Sequence, residues 1–169
     1  MTVRKAITLL CFNIIALTAS AQQQRHIEDS TKANNLIIDK LKSLEGTGVQ
    51  KFLYLYSDAG TIAIMYEKDG KIKGVKSYYK GKRGSRFKSL NLSKEDKSNF
   101  ETCMAIASKD TIVSFSNCKD FVHSYNRIVF KAVENKHSLK GNFTSDCAEA
   151  LEKNSMLVLF NIYKRFLVY

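Results

Sequence analysis

The chain has 169 residues, 44% of them hydrophobic, and carries 27 Lys and Arg against 16 Asp and Glu for a formal charge of +11. That length and apolar content exclude a disordered chain and leave room for one well-formed core rather than two. There is no proline, and no G-x-S-x-G, H-E-x-x-H, phosphate-binding glycine loop or EF-hand pattern, so the chemistries those motifs serve have no sequence support.

At the front, Arg4 and Lys5 precede a largely apolar run from Ala6 to Leu17, followed by Ala19-Ser20-Ala21 and three glutamines. This is the pattern of a secretory signal peptide with an A-x-A cleavage site, and cleavage after Ala21 is expected. The apolar run falls short of the ~20 residues that span a bilayer as a helix, so the mature chain is expected to lack a transmembrane anchor. Cys11 lacks the small residue that a lipoprotein site needs just before its cysteine. The expected organisation is a signal peptide over 1–21 and a single α+β domain over 22–169, secreted or periplasmic. Loss of Arg4 and Lys5 lowers the formal charge from +11 to +9, because every acidic residue lies after the leader.

From Ile27 to Leu44, Ala33, Ile37, Leu41 and Leu44 recur at helical spacing with Ile38 beside them, and Gly46 and Gly48 end the pattern. An amphipathic helix lying across a sheet is predicted. Val49 to Tyr56 then reads as a strand covered on both sides, with Phe52, Tyr54 and Tyr56 on one face and Val49, Leu53 and Leu55 on the other. Ser57-Asp58-Ala59-Gly60 supplies a turn and Thr61 to Glu67 a second strand. Asp69-Gly70 marks a tight hairpin of type I′, since both residues tolerate positive φ. In the third strand the apolar phase slips between Ile72 and Val75 across Gly74, which predicts a bulge there.

Charge gathers in this region. Lys68, Lys71, Lys73, Lys76, Lys80, Lys82, Arg83, Arg86 and Lys88 fall in one stretch whose only acid is Asp69, with Tyr78, Tyr79 and Phe87 interleaved. Lys71 and Lys73 share a strand face, and a glycine turn at Gly81 and Gly84 can present its cations together. Such a cluster fits an anionic polymer or an acidic protein surface; it also fits a solvated edge strand whose lysines block sheet-to-sheet association.

Arg86 to Leu92 is a fourth strand candidate. Ser93 with Glu95 and Asp96 resembles a helix start, and the helix carries Phe100, Cys103, Met104 and Ala107 on one face. Thr111 to Phe115 and Tyr125 to Glu134 are predicted strands. Thr144 or Ser145 is the expected cap of a final helix through Leu151, Met156 to Phe160, Ile162, Tyr163, Phe166 and Leu167, with Leu159 and Ile162 in the core. The predicted architecture is α+β: an antiparallel sheet of five or six strands with a meander at its centre, packed by three helices.

Three cysteines remain after the leader, Cys103, Cys118 and Cys147, an odd number that allows three pairings and leaves one thiol over. A bridge between Cys103 and Cys118 is expected, with Cys118 to Cys147 next. No C-x-x-C or matched Cys/His spacing points to a metal, and no cofactor is implied. Three function classes follow. The first is a small basic binding protein that contacts an anionic partner through Lys71, Lys73, Lys76, Lys80, Lys82, Arg83, Arg86 and Lys88. The second is a small secreted hydrolase acting on phosphodiesters with His123 and His137 as acid and base. The third is an envelope-associated structural protein without a ligand. The absence of a catalytic motif places binding ahead of catalysis.

Overall fold

The structure is a computed structural model and describes residues 24, 27–80, 86–109, 112–114, 127–144 and 157–168. Among these, helix α1 covers 27–45, and three strands follow: β1 (Lys51–Ser57), β2 (Thr61–Lys68) and β3 (Lys71–Tyr78). A two-residue strand β4 (Lys88–Ser89) leads into α2 (Lys94–Ala107), then come β5 (Ile112–Ser114), β6 (Arg127–Glu134), β7 (His137–Thr144) and α3 (Leu157–Phe166). The sheet order is β4-β3-β2-β1-β6-β7-β5. All neighbours are antiparallel except β5, a short edge segment parallel to β7.

The predicted α+β class, six antiparallel strands and a central meander are all present. Strand β1 is nearly all apolar because it sits at the middle of the sheet with both faces covered. Leu53 and Leu55 share their face with Ala63 and Met65 of β2 and Phe130 and Ala132 of β6, and α2 and α3 close over that face. Phe52 and Tyr56 share the opposite face with Ile62, Ile64 and Tyr66, and α1 covers it with Ala33, Ile37 and Leu44. The molecule is therefore layered helix, sheet, helix pair, with two cores separated by the sheet.

Local chemistry sets the turns and caps. Asp69 and Gly70 both take positive φ, 54° and 65°, as a type I′ hairpin needs. The Ser93 hydroxyl accepts the Asp96 N–H at 3.1 Å, and the Asp96 carboxylate accepts the Ser93 N–H at 2.7 Å, a reciprocal capping box at the start of α2. Arg165 of α3 places Nε 3.8 Å from the same carboxylate, linking the two helices. On α2, Phe100, Cys103, Met104 and Ala107 are all buried, as their i, i+3, i+4, i+7 spacing predicts. On α3, Leu159 and Ile162 are fully buried, and Tyr163 meets Phe143 of β7 edge to face with ring centroids 6.0 Å apart.

Two expectations are corrected. There is no bulge at Gly74: β2 and β3 pair one to one from Lys68↔Lys71 to Thr61↔Tyr78. The apolar phase slips because Ile72 packs toward α2 and α3 while Val75 packs toward α1, so each serves a different core. Glycine eases a close approach at 74, since a Cβ there would lie 3.1 to 3.2 Å from Leu90 and Leu92 side-chain atoms, which would have to give way. Second, among the described residues three strands rather than two lie between α2 and α3. The additional strand, β7, pairs with β6 after a turn in which Asn135 takes φ of 55°. The expected cap at Thr144 or Ser145 and the first half of the last helix concern a start that lies outside the described residues; Thr144 itself ends β7.

Candidate anion-contact edge

Strand β3 lies one place from the sheet's edge, and β4 covers only Val75 and Lys76 of it. The predicted anion-binding residues are distributed around this edge rather than gathered on one face. Lys71 and Lys73 are exposed and share the α1 face of the sheet, because odd-numbered residues of β3 pair across with Lys68, Tyr66 and Ile64. Lys76 is half-buried and in register with exposed Lys88 of β4. Arg86 is exposed and precedes Phe87, whose ring lies 5.8 Å from the Lys40 ammonium of α1.

Lys80, at the other end of β3, is engaged: its Nζ sits 3.0 Å from the Asp29 carboxylate of α1. Both side chains are about a third exposed, and a pair of that kind contributes at most ~1 kcal/mol. Its cost falls on function instead, since Lys80 must leave Asp29 to meet an outside anion. Lys82 and Arg83 lie outside the described residues.

Against this open edge lies a groove of about 270 Å³ that sequence reasoning did not identify. It is lined by Tyr66 of β2, Ile72, Lys73 and Gly74 of β3, the segment Ser89 to Leu92, and Lys97 of α2. Lys73 and Lys97 are both exposed, and no lining residue is acidic. Lys97 lies shortly after the basic stretch, on a helix whose facing the sequence alone does not fix. The capping box at Ser93 was the available signal, since it fixes where α2 starts and so which residue of its first turns faces back toward β3.

The other candidates stand apart. Cys103 is a free thiol, fully buried on α2, and burial pushes its pKa from 9.0 up to about 12. Its expected partner Cys118 lies outside the described residues, as do Cys147 and His123. His137 is exposed at the start of β7, in register with Glu134. On the face beneath α2 and α3, Lys51 of β1 bridges Glu67 and Glu134 on the flanking strands at 3.3 Å each, which raises its pKa through those two hydrogen bonds. That triad balances charge between strands and has no free cation to offer.

Among the described residues no cluster of three or more His, Cys, Asp or Glu is placed to hold a metal ion. No helix among them is long and apolar enough to cross a membrane. No protein-family model matches this chain, and no curated protein or solved structure matches it either.

Proposed function

We propose that this is a secreted or periplasmic binding protein that contacts an anionic polymer through the β3–β4 edge. The observation that carries the reading is the charge there: Lys71, Lys73, Arg86 and Lys88 are exposed, and Asp69 is the only carboxylate from Lys68 to Lys88. Cations so placed repel one another in the free protein, and a polyanion relieves that repulsion while releasing its own condensed counterions. The leader pattern at 1–21 supports export, which N-terminal sequencing of exported protein tests by finding Gln22 first.

Capture on a sulfated polysaccharide column tests the edge. Replacing Lys71, Arg86 and Lys88 with Ser is expected to lower the eluting salt well below that of the parent. Replacing exposed Lys32, Lys42 and Lys109 instead is expected to lower it much less. The two variants have equal net charge, so equal shifts would assign capture to overall charge and reduce the edge to a solvated border.

A further inference from the structure

We infer that an amphipathic helix of a partner protein, acidic at the centre of its apolar stripe, docks beside α1 over β6 and β7. This surface is separate from the β3–β4 edge and does not depend on that reading. The sheet is covered unequally. On one face α2 and α3 both close over a core that reaches from β1 and β2 to β6 and β7. On the other, α1 is the only described helix, and its buried residues share a core with β1, β2 and β3. The phase of α1 shows which way its flanks look. Asp29 and Lys40 reach Lys80 and Phe87 on the β3–β4 side. At ~100° per residue, Ile27 and Ile38 fall on the opposite flank, toward β1 and β6. They are 59% and 46% exposed, and half-buried Leu41 lies beside them. An apolar wall therefore stands along the side of the sheet that α1 leaves uncovered.

Strand register lays the floor. Val133 is in register with Phe52, Lys131 with Tyr54 and Val129 with Tyr56, so all six side chains share the α1 face. Tyr54, Val129, Lys131 and Val133 are half-buried. Lys131 is also in register with exposed Lys140 of β7. Like charges directly opposite one another, with Cβ atoms about 4.5 to 5.5 Å apart, destabilise a sheet, and a counter-charge relieves the cost. Neither lysine has a carboxylate in ion-pair range among the described residues. Along β6 the floor thus runs apolar, basic, apolar, with a step of ~6.6 Å for every second strand residue. A helix returns to one face every four residues, a step of ~6.0 Å, so a stripe of apolar, acidic and apolar side chains at i, i+4 and i+8 matches that floor. Two strands make a strip ~10 Å wide, the diameter of one helix. A second copy of this chain offers no such stripe, because α1 turns Lys32, Asn35, Asp39 and Lys42 outward, all of them exposed.

The probe is a fluorescent helical peptide of about five turns, with leucines along one face and a glutamate midway among them, compared with versions carrying Gln or Lys at that position. Anisotropy titration of the mature chain is expected to rank the Glu peptide first and the Lys peptide last. Lys140→Gln should weaken the Glu peptide about two- to fivefold, as for an exposed ion pair. Lys42→Gln, the same charge change on the outward face of α1, should leave binding unchanged. Ile38→Ser alters an exposed side chain, so folding is not at risk, and it should weaken all three peptides alike. Replacing Lys131 and Lys140 together with Glu should put the Lys peptide first. Absence of binding, equal binding of the Glu and Gln peptides, or equal losses from Lys140→Gln and Lys42→Gln would overturn the assignment. So would displacement of the peptide by a fatty acid at lower concentration than by unlabelled peptide, which gives the surface to a lipid. A dimer in sedimentation that Ile38→Ser abolishes would give it to a second copy and likewise overturn the proposal.

Discussion

Truncating Leu159 to Ala tests whether α3 is a core element or a partner-facing one. The side chain is fully buried in the core formed by α2, α3 and one face of the sheet. The substitution removes three carbons' worth of burial, at ~0.8 kcal/mol for each methylene about 2.4 kcal/mol. The cavity left behind adds to this, toward about 5 kcal/mol if the surroundings do not collapse. Collapse should be limited, because Phe130, Phe143 and Tyr163 in the same core are held in aromatic contact with one another. A loss of about 3 to 4 kcal/mol is expected. With a urea slope of about 2 kcal/mol/M, that moves the unfolding midpoint down by roughly 1.5 to 2 M. Far-UV circular dichroism of the mature chain in urea reads the midpoint directly. Ile38→Ala is the internal comparison, since Ile38 is 46% exposed on α1 and its loss should cost less than about 1 kcal/mol. A Leu159→Ala midpoint no lower than that of Ile38→Ala, accompanied by loss of self-association, would place α3 at an interface and refute the argument.

Two further outcomes follow from the packing. Gly74→Val is expected to destabilise by about 1 to 3 kcal/mol through overpacking against Leu90 and Leu92, a shift in urea midpoint that a relaxed bulge at this position would not show. Cys103 should resist a thiol reagent at pH 8 until the protein unfolds, because its thiol is buried and held protonated. Since its folded pKa is raised, the stability it contributes is fully present below the unfolded value of 9.0 and is lost as pH climbs through about 12. Unfolding midpoints of the parent should therefore fall more steeply across that window than those of Cys103→Ala.

The legible parts of the fold were those written in short-range pattern. Helix α1, the meander β1 to β3 and the start of α2 could be read because each combines a clear period with a local stop or cap: Gly46 and Gly48, Asp69-Gly70, Ser93. Strand β7 was not legible, because of His137 to Thr144 only Leu139 and Phe143 are large apolar residues, both on one face, and the rest are polar or glycine. The slip across Gly74 was misread since a one-strand pattern cannot say that two different cores lie above and below it. For the site, sequence could count cations but not aim them. The engagement of Lys80 with Asp29 joins residues that only the sheet and its helix bring near.

The sheet order has a kinetic consequence. Among the described residues, strands β1 to β4 form one set of neighbours close in sequence, β6 and β7 another, and the seam between the sets is the pairing of β1 with β6, from Lys51↔Glu134 to Ser57↔Ile128. Each set can zip locally, but the seam closes a loop that contains β2 to β5 and α2, and the entropy of that closure is met before its contacts repay it. Joining the halves is thus the step expected to set the folding rate. A conservative trim at the seam, Ile128→Val, should slow refolding in stopped-flow experiments, whereas a seam that forms late would leave the rate unchanged and speed only unfolding. Until the halves meet, the hydrogen-bonding edges of β1 and β6 are both bare, and each carries a single lysine, Lys51 or Lys131, against Lys71, Lys73 and Lys76 on β3. The vulnerable moment for aggregation is therefore the unjoined intermediate, and the part of the molecule at risk is its future centre.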